Sequence, residues 1–184
     1  MSYLVAFVEE PSAALLLKAV LPSVLPENVI LQCFSFEGKQ DLENNLDRKI
    51  RCWRTPDTKF LVVRDRDSED CRKVKKRLVS ICQAAGRDDA LVRIACGELE
   101  SFFLGDLNAV GVAFNRKMPS QRIAKFRNPD LLGNASQELG RILKSSEQKL
   151  KWARKISPFL AVDGSNCSHS FNMLLSGVRR LYRM

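Results

Sequence analysis

Four short apolar runs, separated by amphipathic stretches, fill the first 95 residues, and no other feature narrows the possible folds as much. Tyr3 to Val8, Val29 to Phe36, Lys59 to Arg64 and Leu91 to Ala95 read as buried strands. Between them, Ser12 to Val20 and Asp41 to Ile50 have helical periodicity. A longer helix follows Ser68, with Cys71, Val74, Leu78, Ile81, Cys82 and Ala85 at helical spacing and Gly86 as its stop. Strands alternating with helices predict an α/β fold: a parallel sheet of about four strands with helices on both faces. A chain of 184 residues is long enough for one full core and short for two.

Beyond Asn115 the strand pattern fades. Leu99 to Leu104 begins a helix, and Ala135 to Leu143, Glu147 to Ile156 and Phe171 to Leu181 continue the helical pattern. The expected organisation is an α/β domain over residues 1–115 and a basic helical extension over 116–184 packed on it. Charge follows the same division. Residues 1–115 hold 16 basic and 17 acidic side chains, whereas 116–155 hold 11 basic and 3 acidic, so the net charge of +9 belongs to the rear. Such an excess implies an anionic partner, unless the charges are only the solvated faces of helices.

Several functions are disfavoured. The six cysteines form no C-x-x-C pair, and one histidine, His169, does not complete a zinc site. No G-x-x-x-x-G-K-[ST] motif is present, so ATP hydrolysis is not expected of this chain. The apolar N-terminus has no basic n-region, and no run approaches a membrane span; the expectation is a cytoplasmic protein with free thiols and no membrane partner.

Carboxylates gather where ligands bind in open α/β sheets, at the ends of predicted strands. Glu9 and Glu10 follow the first strand, Asp65 and Asp67 the third, and Glu98 and Glu100 the fourth. Residues two apart in extended chain share a side, so Asp65 and Asp67 can face one site. Bringing carboxylates together is unfavourable without a cation, and hard oxygen donors select Mg²⁺, Mn²⁺ or Ca²⁺, with magnesium the natural inference. Such an ion activates water and stabilises phosphoryl transfer.

These segments carry a family resemblance. Val8-Glu9-Glu10-Pro11-Ser12 resembles the V-E-G-x-S opening of TOPRIM domains, with Glu10 in the place of the usual glycine. Val62-Val63-Arg64-Asp65-Arg66-Asp67 resembles their D-x-D strand end, and Phe36-Glu37-Gly38-Lys39 the turn after their second strand. Cys96-Gly97-Glu98-Leu99-Glu100-Ser101-Phe102 is similar to the R-E-I-E-N-Y segment of the overcoming-lysogenization-defect family nucleases. The whole chain resembles small stand-alone TOPRIM-like proteins of bacteria, often encoded beside ABC-type ATPases in defence-like neighbourhoods. The Lys149 helix and Asn166-Cys167-Ser168-His169-Ser170-Phe171 match a lysine helix and an N-x-S-x-S-F tail.

The resemblance implies a Mg²⁺-dependent nuclease acting in antiphage defence or nucleic-acid processing, with DNA or RNA as substrate and an ABC-type ATPase as partner. It implies Glu9 as the metal-linked acid/base, Asp65 and Asp67 as metal ligands, Glu98 or Glu100 as a further ligand, and Lys149 as a charge stabiliser. No tyrosine stands where a strand-passing topoisomerase needs its nucleophile. A non-catalytic module that binds nucleic acid or couples to an ATPase is the alternative. Lys39, Arg66, Lys125, Lys151, Arg154 and Lys155 are the expected phosphate contacts. Ser168 and Ser170 either bind phosphate or cap the last helix. Trp53 and Trp152, each among basic residues, either stack a base or pack in the interior.

Overall fold

A computed structural model describes residues 1–66, 69–144 and 148–183. The four expected strands form as β1 (Ser2–Val8), β2 (Val29–Ser35), β3 (Thr58–Asp65) and β4 (Leu91–Ala95), all parallel, in the order β2-β1-β3-β4. The chain moves from β1 to one neighbour and then crosses to the other. The sheet therefore has its topological switch point between β1 and β3, where a crevice opens beyond the strand ends.

Residue alternation divides the sheet into two faces. Val5 and Phe7 of β1, Phe60 and Val62 of β3 and Val92 of β4 face helices α2 (Lys39–Cys52) and α3 (Cys71–Ala84), which contribute Leu42, Leu46, Ile50, Val74 and Leu78. Phe7 stacks on Phe60 at 5.9 Å between ring centroids. Leu4, Ala6, Val8, Leu61 and Val63 face the other way, against α1 (Pro11–Val20).

A fixed crossover hand explains this division. The β1–β2 connection runs one way across the sheet, and the next two run the other way, so α2 and α3 share a face and α1 is alone on its own. One helix leaves half of that face open, and the rear of the chain fills it. Phe102 and Phe103 of α4 (Glu100–Leu104), Leu107 and Val110 of α5 (Leu107–Phe114) and Phe126 of α6 (Ala124–Arg127) are buried there. So are Leu139 of α7 (Ala135–Leu143), Trp152 of α8 (Lys149–Ile156) and Phe171 of α9 (His169–Leu181). Phe102 meets Phe171 at 5.2 Å, so the Phe102-Phe103 pair anchors the rear helices on the sheet.

Local differences from the sequence expectation have physical causes. Asp70 caps α3, its carboxylate accepting the Arg72 and Lys73 N–H groups; Ser68, the expected cap, and Glu147, the expected start of α8, lie outside the described residues. Helix α5 was not anticipated. Its sequence, LNAVGVAF, carries a central glycine and no polar stripe, and the Asp106 cap on Ala109 N–H and burial sustain it.

Candidate functional site

The crevice between β1 and β3 collects carboxylates from three loops. Asp65, the last residue of β3, is buried on the rear-helix side, and its Oδ2 accepts the Leu99 N–H at 3.1 Å. Glu100 opens α4 with no exposed surface, and neither of its carboxylate oxygens has a hydrogen-bond partner. Gly97, at φ +106°, turns the chain from β4 towards α4. A β-carbon there would stand 3.1 Å from the Leu132 carbonyl, so the close passage of that loop depends on glycine.

Glu10 joins them, although the motif places a glycine there. Its backbone is extended, so the alternation of β1 carries it to the same side as Val8. Its Oε1 accepts the Ser12 hydroxyl at 2.6 Å and lies 3.7 Å from Lys149 Nζ. Lys149, from the first turn of α8, also stands 3.7 Å from Glu100 Oε2. The lysine implied by resemblance is thus the cation of this cluster, brought in by the packing of α8 on α1.

Electrostatics reflects the crowding. Burial pushes the Asp65 carboxyl well above its ordinary range, and the charges of Glu100, Glu10 and Glu9 add to the effect against the opposing Leu99 hydrogen bond. Burial likewise pushes Glu100 up to about 7, with Lys149 acting against it. For Lys149, burial favours the neutral amine, but Glu100, Glu10, Asp65 and Glu98 outweigh it and raise the ammonium above its usual value.

The remaining expected ligands separate from this cluster. Glu9, one residue out of phase with Glu10, has its Oε2 3.7 Å from Arg64 Nε. Arg64 is itself buried between Glu43 and Glu69, which a second arginine, Arg77, clamps from the other side at 2.8 and 2.9 Å. Glu98 directs its Oε2 to the Ser136 N–H in the first turn of α7, at 2.5 Å. Asp67 lies outside the described residues. Among the described residues, no three acidic, cysteine or histidine side chains stand close enough, as placed, to hold a metal ion. The misfit with a metal is one of spacing and not of donor chemistry: Glu100 has two buried oxygens with no hydrogen-bond donor among the described residues, and Lys149 stands 3.7 Å from it and from Glu10.

The expected phosphate contacts divide as well. Lys151, Arg154 and Lys155 lie on the exposed side of α8, with Lys155 also 4.7 Å from the Phe114 ring. Lys125 is paired with Glu138, Lys39 opens α2, and Arg66 follows β3, its N–H on the Ala95 carbonyl. Ser168 and Ser170 are corrected to the structural role: both are buried, the Ser168 hydroxyl donating to Asp130 and accepting the Phe171 N–H, and the Ser170 N–H donating to Asp130. Ser168 is thereby closed to a phosphate, whereas Ser170, whose Oγ accepts the Cys96 N–H at 3.4 Å, also lines a cavity beside the start of α3. Trp152 is buried, and Trp53 packs on Phe34 and Phe60 with its Nε1–H donated to Thr58, so interior packing is the role of both.

Glu10, named in the sequence among the strand-end carboxylates but given no ligand role by the resemblance, is placed here by the i, i+2 alternation of β1. The division of Glu9 and Glu98 away from the cluster was not readable from local pattern, because it depends on Arg64 and α7, which are distant in sequence. Compared with protein-family models, curated proteins and solved structures, the chain gives no match, so its functional reading rests on this arrangement of side chains.

Proposed function

We propose that the chain is a Mg²⁺- or Mn²⁺-dependent nuclease of TOPRIM type, hydrolysing phosphodiesters of DNA or RNA in the cytoplasm. The observation that carries this reading is the pair of buried carboxylates, Asp65 and Glu100, at the switch-point crevice, the second with both oxygens unpartnered. A cluster held so far from its ordinary protonation is short of positive charge.

Asp65, Glu100 and Glu10 are the donors that would hold the ion. Bound there, Mg²⁺ supplies charge neutralisation at the phosphate and a water of lowered pKa. The chain does the rest. Lys149 adds a positive charge on the side of the rear helices, Glu9 handles the proton with Arg64 orienting it, and Lys151, Arg154 and Lys155 hold the polyanion. An ABC-type ATPase partner and a role in antiphage defence belong to the same proposal.

A second reading, a non-catalytic module that binds nucleic acid or couples to an ATPase, is favoured by two contacts: Glu9 with Arg64, and Glu98 with Ser136. Incubation with single- and double-stranded DNA and RNA, with Mg²⁺ or Mn²⁺, alone and with the partner ATPase, separates the two. Cleavage that disappears in Glu100→Gln supports the nuclease. Binding without cleavage under every condition leaves the module.

A further inference from the structure

Outside the carboxylate site, two thiols meet. Cys71 Sγ lies 3.1 Å from Cys96 Sγ, and both residues are partly exposed. Cys71 is the first residue of α3, whose 14 residues place the positive end of the helix dipole beside it. Cys96 immediately follows β4. Both line a cavity of about 210 Å³ that also receives Arg72, Lys75, Arg93 and His169. Among the described residues no third ligand stands beside the pair, and the sulfurs need to approach by only about 1 Å to reach the ~2.0 Å of a covalent bond.

We propose that Cys71 and Cys96 are a reactive dithiol that closes to a disulfide by exchange with an anionic low-molecular-weight disulfide taken into this cavity, where Arg72, Lys75 and Arg93 stand among apolar side chains. The Cys71 thiolate attacks one sulfur of the incoming disulfide. That S–S bond breaks and the first small thiolate leaves with the electron pair. Cys96 then gives its proton to solvent and attacks the Cys71 sulfur of the mixed disulfide, expelling the second small thiolate. Two protein thiols are oxidised and one small disulfide is reduced to two thiols, so the exchange balances.

The bond would tie the start of α3, at the end of the segment from Asp65, to the segment that carries Glu98 and Glu100. Its effect on cation binding there rests on the proposed function, whereas the bond itself does not.

The 184-residue chain is incubated with oxidised glutathione or with neutral 2-hydroxyethyl disulfide, and the products are mapped by peptide mass spectrometry. The expected result is a Cys71–Cys96 cross-link with the other four cysteines still reduced, formed roughly tenfold faster with the anionic reagent. The preference should diminish when Arg72 and Lys75 are both replaced by Ala. A mixed disulfide that never closes, oxidation confined to other cysteines, or equal rates for the two reagents would overturn the inference. Titration with Mn²⁺ is then run on both forms, with a several-fold difference in affinity expected. Equal binding removes the coupling, and binding by neither form removes the proposed metal site while the mapped cross-link stands.

Discussion

The ammonium of Lys149 stands 3.7 Å from the Glu100 carboxylate and equally far from that of Glu10. One side chain of α8 thus spans acids delivered by β1 and α4, and the rear of the chain completes the charge balance of the sheet's crevice. Lys149→Met should lower the melting temperature by a few degrees at pH 8 and much less at pH 5, where Glu100 is protonated. Calorimetry at the two pH values checks this; an equal loss at both would show that only packing had been removed.

Glu100 gives the metal-free protein a pH dependence whose sign is fixed. The carboxyl ionises near 4.5 in the unfolded chain and near 7 in the folded one. Below about pH 4.5 it is neutral in both states and costs nothing. Between the two values unfolding releases its proton, so stability falls as pH rises, and the full penalty of about 3 kcal/mol is present above pH 7. Asp65 shifts in the same direction. The difference in urea stability between Glu100→Gln and the parent chain should therefore grow in favour of the variant from pH 5 to pH 8. Added Mn²⁺ should stabilise the parent more at pH 8 than at pH 5, because the ion competes with the proton.

On the opposite face, the Arg64 guanidinium depends on Glu43 and Glu69. Replacing both glutamates with Ala removes the two carboxylates closest to this buried cation and leaves, among the described residues, the 3.7 Å contact to Glu9. A loss of about 3–5 kcal/mol is expected in denaturant titration, and a loss below about 1 kcal/mol would mean that water reaches Arg64.

Gly105 passes close to the turn before α9. A β-carbon there would fall 2.0 Å from Asn166 Oδ1 and 2.7 Å from the Ser168 N. Gly105→Ala must displace the turn that caps α9, at a cost of about 1–3 kcal/mol in urea unfolding.

If α8 holds a polyanion, replacing Lys151, Arg154 and Lys155 with Ala should weaken binding uniformly across sequences. The slope of log K against log salt should flatten by about 0.9 for each duplex phosphate that the variant no longer neutralises, as read by fluorescence anisotropy. An unchanged slope would place the interface elsewhere.

The strands and their order of helices were legible because buried parallel strands read as apolar runs, whatever packs on them. Asp65 and Glu100 were legible for a related reason: strand ends are where the topology sends a ligand. Glu10 stands in the sequence among the strand-end carboxylates, but a motif that expects glycine gives it no ligand role, although alternation along β1 aligns it with Val8. What no local pattern carries is long-range pairing. Glu98 finds Ser136, 38 positions on, and Arg64 finds Glu43, 21 positions back; neither partnership leaves a trace in either segment. Ser168 was ambiguous for the same reason, since the choice between phosphate and cap was decided by Asp130.

Arg64 and Asp65 are consecutive and buried on opposite faces of β3. Their succession works as an electrostatic ratchet for strand register. A slip of one position would take the guanidinium away from Glu43 and Glu69 and set the Asp65 carboxylate between them, with a like charge on either side of it. Single-residue insertions or deletions within β3 should therefore be among the least tolerated changes in the molecule. Hydrophobic pattern alone would not impose this, because Leu61, Val62 and Val63 could pack on either side.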